Sequence, residues 1–176
     1  MSGKIEIITG CMFSGKSTEL LNRLNNCSED YLLLKPKIDT RYGISDVSTH
    51  SGIKKSAKVV SSLSDAFDSI SNIKVIGVDE AQFFSSSIIN DSLKLKSLGK
   101  RIIIAGLNKD YLNKEFKSVS GLIKIADKLT KLYAVCNKCS APASRSHRLA
   151  KDKSIILLGH KDAYEPLCKK CYENAR

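Results

Sequence analysis

The chain has no tryptophan, three prolines, three histidines and only 6% aromatic residues among its 176. No aromatic residues are interleaved with its basic ones, so the pattern of a nucleic-acid-binding surface is missing. No apolar run approaches the ~20 residues that a membrane-spanning helix needs. The N-terminal stretch MSGKIEIITG lacks the long apolar core of a secretion signal and runs straight into a strand pattern, so we expect a cytoplasmic protein. No internal repeat or low-complexity tract is present, which excludes a repeat array. His50, His147 and His160 are isolated, and none pairs with a cysteine at metal-ligand spacing.

What is present points to a globular domain. Hydrophobic content is 42%, enough for one core with a small appendage. The net charge is +11, from 29 Lys and Arg against 18 Asp and Glu. The basic residues are scattered (Lys54, Lys55, Lys94, Lys96, Lys100, Arg101, Lys151 and Lys153), so they read as a solvated surface that also attracts nucleotide phosphates. We expect no nucleic-acid polymer and no membrane among the partners.

The most specific stretch is Gly10-Cys11-Met12-Phe13-Ser14-Gly15-Lys16-Ser17-Thr18, which has phosphate-loop spacing. Gly10 and Gly15 are expected to take backbone dihedrals that a Cβ forbids, so that successive N–H groups converge on an anion. The dipole of the following helix adds positive potential at the same point. Lys16 is placed to reach the β- and γ-phosphates of a nucleoside triphosphate, and the Ser17 hydroxyl to hold Mg²⁺. Cys11, inside this loop, is a candidate for reaction with alkylating agents from its position.

The rest of the first 134 residues alternates strand and helix. Strands are predicted over residues 4–9, 31–35, 74–78 and 101–105, with a short one at Val59-Val60. Helices are predicted over 18–26 and 85–98, the second stopped by Gly99. Ser62 and Asp65 form a capping box ahead of Leu63, Ala66, Phe67 and Ile70 at helical spacing. Residues 37–51 read as a polar loop. Apolar strands in repeated βα units predict a parallel sheet covered on both faces, with ligands beyond the strands' carboxyl ends. Asp79-Glu80 ends the strand Val75–Val78 there: Asp79 is assigned to Mg²⁺ and Glu80 to general base. Of Phe83 and Phe84, one is expected in the core and one facing a planar substrate.

Cys136-x-x-Cys139 and Cys168-x-x-Cys171 predict a four-cysteine structural zinc site, with the long segment between them pinned as a lid. We place a boundary after residue 134, dividing a P-loop α/β nucleotide-binding domain (1–134) from a zinc-ribbon or lasso domain (135–176). One strand is expected at Ser154 to Leu158. Arg41 is a candidate phosphate contact.

These motifs together resemble the type II thymidine kinases, the cytosolic and poxviral kind. The resemblance rests on residues 12–18, Asp39-Thr40-Arg41-Tyr42, Thr49-His50, Val78-Asp79-Glu80-Ala81-Gln82-Phe83-Phe84, Ala105-Gly106-Leu107 with Tyr111 and Phe116, residues 131–136, and Cys171-Tyr172. It implies a RecA-like P-loop core with a small C-terminal zinc-binding lasso. It implies transfer of the ATP γ-phosphate to the 5′-hydroxyl of thymidine, giving dTMP and ADP. Glu80 then matches the base that accepts the hydroxyl proton. Met12, Phe83, Leu107, Tyr111 and Phe116 match the nucleoside pocket, and Ser146, Leu157, Leu158 and Tyr164 the lasso that closes on the base. The resemblance also implies a homotetramer, inhibition by dTTP, and deoxyuridine as a possible second substrate. Cys11, Asn108, Tyr111 and Ser146 stand where the family commonly has Pro, Asp, Phe and Thr, departures that bear on nucleoside affinity, not on the reaction. Two other readings compete: a nucleic-acid-dependent ATPase on a similar core, motivated by the charge, and a zinc-ribbon module with a nucleotide switch.

Overall fold

The computed structural model describes residues 2–38, 46–48, 54–150 and 163–175. Strand β1 (Lys4–Gly10) leads into helix α1 (Lys16–Asn25), then β2 (Tyr31–Pro36), a hairpin of β3 (Asp46–Ser48) and β4 (Lys54–Ser56), and β5 (Lys58–Val60). A 3-10 helix (Leu63–Ile70), β6 (Val75–Val78), a 3-10 turn (Ala81–Phe83), α2 (Ser87–Ser97), β7 (Arg101–Leu107), α3 (Lys117–Ile125) and β8 (Lys128–Leu132) follow. The chain ends with β9 (Ala134–Val135), β10 (Pro142–Ala143), β11 (Arg145–Arg148), β12 (Tyr164–Leu167) and α4 (Lys169–Asn174).

Six strands form one parallel sheet in the order β5-β2-β6-β7-β1-β8. The two-residue periodicity of a strand sends alternate side chains to opposite faces. On one face Ile8, Leu33, Val75, Ile103 and Ala105 meet Leu20, Leu21 and Leu24 of α1. On the other, Ile7, Leu34, Ile76, Val78 and Ile104 meet Leu63 and Ala66 of the first 3-10 helix, Ile88 and Leu95 of α2, and Leu122 of α3. Both faces are covered, which is why the strands read as continuous apolar runs. This is the predicted central parallel sheet flanked by helices.

The structure departs from the sequence reading in three places. Residues 46–48, expected in a loop, pair antiparallel with 54–56, and Val47 is 4% exposed in the α1-side core. A single apolar residue anchors that strand, too little to register as a pattern. The Ser62–Asp65 capping box is present, with the Ser62 N–H donating to Asp65 Oδ2 at 3.0 Å, but it starts a 3-10 helix. Helix α3 and strand β8 were not anticipated. β8 lies at the sheet edge and buries little, and its Lys-Leu-Thr-Lys-Leu has no apolar alternation, so it carries only a weak signal. The strand expected at 154–158, and the segments 39–42 and 49–50, lie outside the described residues.

Candidate active site

Gly10 at the end of β1 is in register with Leu107 at the end of β7, and Val78 at the end of β6 with Ile104. One strand therefore separates the phosphate loop from the acid pair, and all three strand ends open on the same side. Gly15 has φ 82, a left-handed conformation that only glycine adopts cheaply, and it caps α1. Gly10 is needed for a different reason than expected. A Cβ there would lie 2.4 Å from the Leu132 carbonyl oxygen and 2.5 Å from Ser14 Oγ, so close approach, not its dihedrals, demands glycine. Phe13 also takes positive φ, at 64°, which turns the backbone between the two glycines. Lys16 Nζ folds back to donate to the Cys11 carbonyl at 2.8 Å. Ser14 Oγ is buried in the loop without a hydrogen-bond partner among the described residues, an orphan that a phosphate oxygen would satisfy.

Beyond β6, Asp79 is 6% exposed. Its N–H donates to the Leu34 carbonyl at 3.0 Å, and its Oδ1 accepts the Glu80 N–H at 2.9 Å. Burial, and then the charge of Glu80, push the Asp79 carboxyl up to about 7, against the Ser17 hydroxyl, the Glu80 N–H and the Lys16 charge. Glu80 has φ 53 and ψ 44, a left-handed backbone rare outside glycine, which breaks the strand into the turn Ala81–Phe83.

The wall beyond Glu80 is aromatic. Phe84 is 5% exposed in the core, the core member expected of the pair, and Phe83 is half-buried. Leu107 is half-buried at the end of β7, Tyr111 is half-buried in the loop after it, and Phe116 packs partly against the core. The Arg148 guanidinium lies 3.7 Å from the centre of the Tyr111 ring, and its Nε donates to Tyr164 Oη at 3.1 Å. Tyr172 Oη donates to the Tyr111 carbonyl at 2.6 Å. Tyr111 and Tyr164, 53 residues apart in sequence by their numbers, are thus joined through one buried arginine.

The C-terminal segment also forms a wall of the phosphate loop. Met12 N–H donates to Ser146 Oγ at 3.0 Å, and Cys11 Sγ donates to the Ala143 carbonyl at 3.3 Å. Cys11 is 3% exposed and shares a small core with Ala134, Cys136, Ala143, Leu167 and Tyr172. Burial raises its thiol pKa above the usual value. The burial runs against the expectation that Cys11 reacts with alkylating agents: its side chain packs into the C-terminal core.

Cys136, Cys139, Cys168 and Cys171 carry free thiols, and their four Sγ atoms lie within 4.8 Å of one another. Cys139 and Cys168 sulfurs are 3.6 Å apart. Tetrahedral zinc with bonds of ~2.3 Å requires sulfurs about 3.8 Å apart, so the set fits that ion. Local backbone brings the thiols together. The Ser140 N–H donates to the Cys136 carbonyl at 2.9 Å, closing the first knuckle, and Cys168 caps α4 by accepting the Cys171 N–H.

The profile of the family described as Thymidine kinase matches residues 3–172. A thymidine kinase of Bacteroides fragilis is 42% identical over 176 residues, covering 98% of this chain and 88% of its own length. One of Bacteroides thetaiotaomicron is 41% identical over 177 residues, covering 99% of this chain and 89% of its own. The chain belongs to the thymidine kinase family. Among solved structures, Bacteroides Pif1 bound to ssDNA overlays with a TM-score of 0.44 at 11% identity, over 73% of this chain and 38% of that one, too slight a likeness to carry an argument.

Like other thymidine kinases, the chain is an ATP:thymidine phosphotransferase, and the ATPase and nucleotide-switch readings are not favoured. The fold brings Gly10, Leu107 and the Asp79-Glu80 pair to neighbouring strand ends, bonds Met12 to Ser146, and joins Tyr111 to Tyr164 through Arg148. Arg41, Leu157 and Leu158 lie outside the described residues. Two buried polar residues that contact Tyr111 and Leu107 escaped the sequence reading. Arg148 sits in a basic, polar stretch where nothing marks one arginine as 8% exposed, and Gln82 stood in a quoted motif without a role.

Proposed function

We propose that Glu80 is the base of this thymidine kinase and that residues 10–18 hold the phosphates of ATP. The supporting observation is the strand register: Gly10 and Val78 pair with Leu107 and Ile104 of the same strand β7, so the phosphate loop and the Asp79-Glu80 pair leave the sheet on one side, a strand apart. Backbone N–H groups and Lys16 bind the β- and γ-phosphates, and Arg41 adds a contact to them. Ser17 and Asp79 offer hard oxygen donors, the chemistry Mg²⁺ prefers, and would hold that ion, which supplies charge neutralisation on the phosphates. Glu80 takes the proton from the thymidine 5′-hydroxyl as it attacks in line. Met12, Phe83, Leu107, Tyr111, Phe116, Ser146, Leu157, Leu158 and Tyr164 line the nucleoside pocket. Water is excluded when the segment between the cysteine pairs closes.

Residues 1–134 act as the nucleotide-binding domain, and 135–176 as a lasso domain that the four cysteines hold together around structural zinc. Four thiolates leave no open coordination position, so the metal would stabilise and not catalyse. We assign the enzyme to the cytoplasm, as a homotetramer inhibited by dTTP, on the resemblance described above. Light scattering checks the assembly, and titration of dTTP into the assay checks the inhibition.

The deciding test is Glu80→Gln in an assay of labelled thymidine with ATP and Mg²⁺. Turnover should fall by about 10²-fold or more while ATP still binds. Turnover near wild type would remove Glu80 from the role. A protein that loses ATP only when DNA is present would overturn the kinase reading.

A further inference from the structure

Gln82 is 6% exposed, lies two residues after Glu80 in the turn Ala81–Phe83, and uses both ends of its amide. Its Oε1 accepts the N–H of Leu107 at 2.9 Å, at the end of β7. Its Nε2 donates to Glu80 Oε2. The orientation is forced. A backbone N–H can only donate, so the amide oxygen must face Leu107, and the NH₂ must then face Glu80. An NH₂ can only donate, so Glu80 Oε2 is held as acceptor. Glu80 has a left-handed backbone, which sets it outside regular secondary structure.

We infer that Gln82 is a positioning residue, an amide strut that anchors on β7 and orients the Glu80 carboxylate toward the acceptor hydroxyl. The inference rests on the reading of Glu80 as the base. Gln82 also couples the pocket residue Leu107 to the base, because a single side chain spans them. Phe83, between Glu80 and the core residue Phe84, is carried on the same short turn, so base and pocket wall are fixed together.

Two substitutions separate positioning from simple bracing. Gln82→Met removes both bonds; Gln82→Glu keeps the acceptor for Leu107 but sets a carboxylate oxygen against Glu80. Both should lower kcat by roughly 10²-fold, the scale of a misplaced catalytic group, with ATP affinity and Tm held. If Gln82 only braces β7, Gln82→Glu retains wild-type kcat, and the inference is overturned. A kcat loss that tracks a fall in Tm also overturns it. In a Glu80→Gln background, Gln82→Met should cost nothing further, whereas an additive loss there sinks the inference. Should Glu80→Gln itself prove active, the base assignment fails. Should Glu80→Gln be inactive with Gln82→Glu at wild-type rate, only the role of Gln82 fails.

Discussion

At the scale of single residues, Cys11 shows how a motif position and a side chain's surroundings can disagree. Its backbone belongs to the phosphate loop, and its carbonyl accepts from Lys16. Its thiol belongs to the C-terminal core, where burial raises its pKa and the Ala143 carbonyl accepts its S–H. A thiolate is the species that alkylates, so a buried thiol of raised pKa is slow. Treatment of the native enzyme with a small alkylating agent should therefore leave Cys11 unmodified, and denaturant should expose it. Peptide mass spectrometry of the two samples reads the difference directly. Modification of Cys11 in the native sample at the rate of an exposed thiol would contradict its place in the core.

At the scale of elements, one buried carboxylate ties three together. Glu6 on β1 is 2% exposed; it accepts from Arg23 of α1 at 3.0 Å and from Arg101 of β7 at 2.8 Å, with Lys4 at 3.6 Å. Arg23 also donates to Glu19 at 2.8 Å and to Thr130 of β8 at 2.8 Å, extending the network to the sheet edge. Burial raises the Glu6 pKa, but Arg101, Lys4 and Arg23 outweigh it and hold the carboxyl below its ordinary 4.5. The folded state then binds this proton less readily than the unfolded chain. Its contribution to stability is complete above 4.5 and is lost as pH falls through the lowered folded value. Tm measured on the acid side should decline over that window in the wild type. Glu6→Gln should flatten that decline and lower Tm at neutral pH, since it takes the shared carboxylate from Arg101 and leaves Arg23 with Glu19 alone. A wild-type slope retained in the variant would place the acid sensitivity elsewhere.

The same elements mark what the sequence made legible. The parallel core was readable because Ile5, Ile7, Ile8 and Ile102 to Ile104 form apolar runs that a doubly covered sheet requires. Glycine spacing announced the phosphate loop, and paired acids announced a strand end. The chemistry that escaped notice is carried by tertiary hydrogen bonds. Gln82 reaches Leu107 25 residues away, and Met12 reaches Ser146 134 residues away, separations that no local pattern encodes. Edge strand β8 escaped because its largely exposed Lys-Leu-Thr-Lys-Leu looks like surface.

For the whole molecule, the cysteine module and the phosphate loop share a wall. The hydrogen bonds from Cys11 and Met12 to Ala143 and Ser146 cross from the first 134 residues into the last 42, a contact continued by the core around Cys136 and Tyr172. The four thiols that would hold zinc are the anchor of that module, and few other groups replace them in so short a segment. Elemental analysis should find about one zinc per chain. Removing it with a chelator should lower Tm and weaken thymidine binding as Ser146 and Tyr164, proposed to line the pocket, lose their support. The shared wall adds a sharper expectation: ATP affinity should fall too, because the backbone of the loop at Cys11 and Met12 is braced from the far side. Calorimetric titration with a non-hydrolysable ATP analogue, before and after chelation, measures this. An unchanged ATP affinity in a protein that has lost thymidine binding would show that the loop holds its shape alone, with α1 and Gly15 sufficient.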